Sequence, residues 1–171
     1  GSRAAYLAGG VGVERNMSRN EKNSVVPRKL ALSVQYASNA LYLPTRANWR
    51  RWIKSALQRD VNISLRIVDE AEGRELNRNY RGKDYATNVL TFVYEEQAGL
   101  SGDIVICAPV VEQEAADQGK ELIAHYVHLI IHAVLHLQGY THDGEKDAAE
   151  METLESALMV KLRYPDPYQV S

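Results

Sequence analysis

The sequence predicts an α+β fold: a single domain with a mixed four-stranded sheet and about five helices, in the order βαβαββααα. Three observations predict it. Four short segments alternate apolar and polar residues or are rich in β-branched and aromatic ones, which is the strand signal. The rest repeat apolar residues at helical spacing or lie between helix-start and helix-stop residues, about five helices in all. Both kinds are interleaved along 171 residues of 45% hydrophobic content, enough for one substantial core and too little for two.

Alternation at Leu30, Leu32, Val34 and Tyr36 predicts the first strand, and Pro44-Thr45 then reads as a stop and an N-cap. Trp49, Trp52, Ile53, Ala56 and Leu57 give the next helix its core face. Val61, Ile63, Leu65 and Ile67 predict the second strand, after which Asp69 caps a polar helix reaching about Tyr80, anchored by Ala71, Leu76 and Tyr80. The run NVLTFVY from Asn88 predicts a third strand, and Gly102-Asp103 is expected to turn the chain into a fourth, IVIC. Pro109 opens a short helix that Gly119 ends, a histidine-rich helix runs from about Lys120 to Gln138, and Met151, Leu154, Leu158 and Leu162 define a last helix. Residues 1–27, with Gly1-Ser2 as a cloning scar and Met17 as a candidate start, are expected to be a disordered tail, and 28–171 the domain. No signal peptide is legible before Met17.

All five histidines, His125, His128, His132, His136 and His142, fall within eighteen residues. HAVLHLQGYTH arranges three of them as H-x3-H-x5-H. On a helix His132 and His136 share a face, Gly139 ends the helix in the left-handed conformation, and His142 completes the set. Three imidazoles suit zinc, one ion per chain, and leave a fourth position open for water; nickel or copper would be accepted by the same set. His128 and His125 are read as packing or supporting groups, because histidines at i, i+4 and i+8 spread about 12 Å along the axis and cannot share one ion. The stretch fits the metzincin protease pattern except at Ala133, which stands where the general base would be, so peptide hydrolysis is disfavoured.

A net charge of -2 gives no global attraction to nucleic acid. The single Cys107 excludes an internal disulfide and suits a reducing compartment, the cytoplasm. The longest apolar stretch is too short and too rich in histidine to span a bilayer. Arg74, Arg78 and Arg81 follow i, i+4, i+7 spacing with Lys83 beside them. Arg74 and Arg78 read as a solvated helix face balanced by Glu70, Glu72 and Glu75. Arg81 is expected in a turn, YRGKD, before a strand, where functional groups concentrate.

Three separated blocks carry a resemblance to the YbeY family of metal-dependent endoribonucleases. HAVLHLQGYTH resembles that family's H-G-x-L-H-L-x-G-Y-D-H, YRGKDYATNVLTF resembles its Y-R-x-K-D-x-x-T-N-V-L-S-F, and SGDIVICAPVV resembles its L-G-D-I-v-I-c segment. The resemblance implies that His132, His136 and His142 hold the metal and that Arg81 is required for activity. It further implies single-stranded RNA as substrate, a role in ribosomal RNA maturation at the 16S rRNA 3′ end and in ribosome quality control, and the ribosome or its proteins as partners; neither DNA nor a membrane is expected. Ala133 departs from the family's glycine, and Thr141 replaces the aspartate before the last histidine.

From the residues alone, a metal ion polarises a phosphoryl oxygen or supplies hydroxide while Arg81 contacts the phosphate bidentately. Asp84 or a second metal-bound water is the candidate proton donor, and Tyr85 and Tyr94 are candidate stacking surfaces among ten tyrosines. Two alternatives remain: a ribosome-associated assembly or binding factor with a structural metal, and a metal-dependent hydrolase of another substrate.

Overall fold

The computed structural model describes residues 5–7, 28–97, 99–141 and 144–169. The elements run β1 (Ala5–Leu7), β2 (Leu30–Ala37), α1 (Arg46–Ser55), β3 (Val61–Val68), α2 (Glu70–Arg81), β4 (Val89–Glu96), β5 (Gly99–Cys107), α3 (Ala108–Gln118), α4 (Leu122–Leu137) and α5 (Glu145–Lys161). From β2 onward this is the predicted order. The sheet is ordered β1-β4-β5-β3-β2. β2, β3 and β5 are parallel neighbours, and β4 runs antiparallel to β5, so the four predicted strands form a mixed sheet. The three-residue β1 adds an antiparallel edge beside β4. It falls within the segment read as a tail, whose other residues lie outside the described ones.

One face of the sheet is covered by α1, α4 and α5. Inward residues Ile63, Leu65, Ile104 and Ile106 meet Trp49, Trp52, Ile130 and Met159 there. On the other face a smaller cluster of Val68, Leu90, Phe92, Val105 and Cys107 is packed by Leu76 of α2. The alternating strands explain both faces, since successive side chains point to opposite sides.

The helices start and stop for local reasons. Thr45 caps α1, its hydroxyl accepting from the Asn48 N–H at 3.2 Å. Trp49 and Trp52 are fully buried, edge to face at 5.3 Å. Gly119 ends α3 with φ 62°. α4 is buried on nearly every side, with eleven of its residues in the interior, and forms the hub of the domain.

Two expectations are corrected. Of the three expected anchors of α2, Leu76 packs on the β4–β5 cluster and the Tyr80 ring meets Phe92 at 4.9 Å, whereas Ala71 is exposed, and the buried positions are Gly73 and Asn77. A Cβ on Gly73 would stand 3.1 Å from Cys107 Sγ, so the helix seats on β5 through a residue without a side chain, which an apolar pattern does not register. Gly102-Asp103 is not a turn. β5 begins at Gly99 and runs through both, with Gly102 opposite Val93 and Asp103 opposite Phe92. Among the described residues, no helix is long and apolar enough to cross a membrane.

Candidate active site

α4 brings His132 and His136 to one side, their ring centroids 4.5 Å apart, as a four-residue spacing dictates. Its end is fastened to the segment that follows α1. The Gln138 side chain accepts from the Gln58 N–H at 2.7 Å and donates to the Ala56 carbonyl at 2.8 Å. The Tyr140 hydroxyl lies 2.9 Å from Gln58 Nε2. Gly139, between them, takes φ 106°, the positive-φ termination the sequence suggested. The chain is thereby turned immediately beyond His136. His142 and Asp143 lie outside the described residues.

The carboxylate that supports the histidines comes from α5. Glu155 is 1% exposed, and its Oε1 accepts from His132 Nδ1 at 2.8 Å. Its Oε2 is bonded to His128 Nε2 and accepts from the Tyr168 hydroxyl at 2.6 Å. Burial pushes this carboxyl up, but the bonds from His128, His132 and Tyr168 outweigh it and hold it near 2, so it is ionised at neutral pH. An ionised carboxylate only accepts. The proton of His132 therefore sits on Nδ1, and a histidine in that tautomer ligates through Nε2. His125 is placed differently, buried and bonded through Nε2 to Glu114 at 2.9 Å, which also receives the Asn88 amide. It packs, as expected, and His128 serves Glu155.

Imidazoles from one helix face, one of them fixed by a carboxylate behind it, suit zinc and the ions that share its preference for nitrogen.

Arg81 is the last residue of α2 rather than part of a turn, and Gly82 follows in the left-handed conformation at φ 69°. Its side chain is exposed, and among the described residues it forms no ion pair. α2 lies across the sheet from α4, and the described contacts do not join Arg81 to the histidines. Arg74 is engaged in a two-bond pair with Asp84, at 2.8 and 2.9 Å. That pairing holds the Asp84 carboxyl below its usual range, so Asp84 is ionised and unsuited to protonate a leaving group. Tyr85 is exposed, whereas Tyr94 is partly buried and donates to Asp103 at 2.9 Å, leaving Tyr85 as the better stacking surface.

The family described as Endoribonuclease YbeY has a sequence model that matches residues 34–163. The chain belongs to the YbeY family. Curated relatives extend the match. The protein named Endoribonuclease YbeY from Aromatoleum aromaticum is 57% identical over 143 residues, covering 82% of this chain and 93% of that protein. Its namesake from Methylobacillus flagellatus is 56% identical over 140 residues, with 82% and 94% covered. The one from Nitrosomonas europaea is 52% identical over 143 residues, with 84% and 87% covered.

This YbeY-family chain carries both departures in places the structure accommodates. Ala133 is fully buried within the core cluster, where its methyl group is simply packed. Thr141 directs its hydroxyl to Asp147 at 3.4 Å, and the carboxylate on His132 is that of Glu155. Glu155 and Asn77 escaped the sequence reading. A signal for Glu155 was present: it occupies the apolar face of α5, four residues from Met151 and from Met159, and a lone acid on a core face implies a buried partner. Asn77 donates its amide to the Tyr85 carbonyl at 2.7 Å, pinning the loop after Arg81, and nothing in the sequence distinguishes it from a solvated helix residue.

Proposed function

We propose that this protein is a zinc-dependent endoribonuclease that hydrolyses phosphodiesters of single-stranded RNA, acting on the ribosome in the cytoplasm during maturation of the 16S rRNA 3′ end and ribosome quality control. The observation that carries the reading is the pairing of His132 and His136 on one face of α4, with the ionised Glu155 bonded to His132 Nδ1. His132, His136 and His142 would hold one zinc ion per chain. When bound, the ion supplies Lewis-acid polarisation of a phosphoryl oxygen and a water acidic enough to act near neutral pH.

The chain's own groups divide the remaining work. Arg81, exposed at the end of α2, offers a guanidinium that pairs bidentately with a phosphate and offsets the charge developing on it. Tyr85, 56% exposed, offers a face for a base of a splayed single strand. Asp84, held ionised by Arg74, keeps its neighbourhood fixed and does not donate a proton.

The test pairs elemental mass spectrometry of the purified protein with cleavage of a labelled single-stranded RNA, with and without chelator. About one zinc per chain, with cleavage lost to chelator and restored by zinc, supports the reading. Bound zinc with intact RNA would overturn the nuclease and favour a ribosome-binding factor.

A further inference from the structure

We propose that Glu155 is the positioning residue of this site: anchored by His128 and Tyr168, its carboxylate orients the His132 ring for metal binding and so sets how tightly the ion is held. The inference rests on the zinc reading above and adds a residue from a different helix, twenty-three positions from His132 in the chain.

Glu155 is over-determined. It stands on the core face of α5 among Met151 and Met159, where an unpartnered carboxylate would be strongly disfavoured. Three donors from three places converge on it: His132 and His128 from successive turns of α4, and Tyr168 from the segment after α5. That segment is itself held, since Asp166 accepts from Ser156 Oγ at 2.7 Å and from the Tyr168 N–H at 2.9 Å. His128 and Tyr168 therefore act on the carboxylate, and the carboxylate acts on His132. A carboxylate on the far nitrogen of a ligating imidazole fixes its tautomer and ring plane and raises its basicity; losing such a partner typically weakens metal binding about 10- to 100-fold.

The decisive experiment is zinc affinity by competition with a chromogenic chelator for the parent protein, Glu155→Gln, Tyr168→Phe and Met159→Ala, each with its melting temperature. Met159→Ala truncates the same buried face of α5 without removing a bond to His132, so it reports what destabilisation alone does. The expected result is that Glu155→Gln binds about 10- to 100-fold more weakly, Tyr168→Phe shifts in the same direction by a smaller factor, and Met159→Ala melts earlier with unchanged affinity. Affinity in Glu155→Gln equal to the parent's, or an equal loss in Met159→Ala, would overturn the positioning role. The metal-free parent supplies a check that needs no variant: nitrogen chemical shifts should show His132 protonated on Nδ1, and the Nε2–H form would overturn the proposal. A parent that binds no zinc sinks the zinc reading together with this one, whereas a zinc-binding parent with an indifferent Glu155→Gln sinks this one alone.

Discussion

Gly102 of β5 lies directly beneath Leu137 of α4: a Cβ at position 102 would come within 2.2 Å of Leu137 Cδ1 and 3.0 Å of the Phe92 carbonyl oxygen. Helix and strand approach this closely only because one of them carries no side chain there. Leu137 follows His136, so the contact sets the height above the sheet of the end of α4 that carries His132 and His136.

Gly102→Ala is accordingly expected to destabilise the domain by about 2 kcal/mol through overpacking. That corresponds to a melting temperature about 4 to 8 °C lower for a chain of this size. Circular dichroism melts check it, and a variant as stable as the parent would show that α4 can lift without penalty.

His132→Ala and His136→Ala are each expected to lose zinc while keeping the fold, because the apolar clusters that hold the domain together include neither ring, buried though His136 is. Isothermal titration with zinc measures the loss. Retention of a full equivalent by either variant would remove that histidine from the ligand set.

Arg81→Ala is expected to keep both zinc and the melting temperature, since the side chain is exposed and forms no ion pair among the described residues. RNA cleavage should fall by about two to three orders of magnitude, the cost of removing one group that stabilises transition-state charge. Arg81→Lys should recover only part of it, because an ammonium lacks the planar fork. Cleavage at the parental rate in Arg81→Ala would end its proposed role.

Asn77→Ala removes the bond to the Tyr85 carbonyl and leaves that group unpaired, a cost of about 1 to 3 kcal/mol. α2 lies across the sheet from the histidines, so zinc content should be unchanged while cleavage drops as the loop beyond Arg81 loosens. Gln138→Ala is expected to show the reverse. It unfastens the end of α4 from Gln58 and Ala56, and its stability loss of similar size should be accompanied by weaker zinc binding. Parallel zinc titrations and cleavage assays on the two variants separate these outcomes.

The order of elements and the pairing of His132 with His136 were legible in the chain itself, because both depend on local periodicity. Alternation at Val61, Ile63, Leu65 and Ile67 can only be a strand buried on one face, and a four-residue spacing on a helix always brings two side chains to one side. Termini were equally local: Thr45 and Gly119 act through bonds to the nearest turn. What the tertiary structure alone decided are the contacts between residues distant in sequence. Gly102 reads as part of a turn in the sequence, and only the packing puts Leu137 above it, as it puts Cys107 against Gly73. Asp84 read as an acid until Arg74 was seen to hold its charge. Glu155 acquires its role only because the packing of α5 against α4 places it behind His132. A glycine or a carboxylate takes its meaning from what the fold brings against it, and that depends on how whole helices pack rather than on any spacing within one of them.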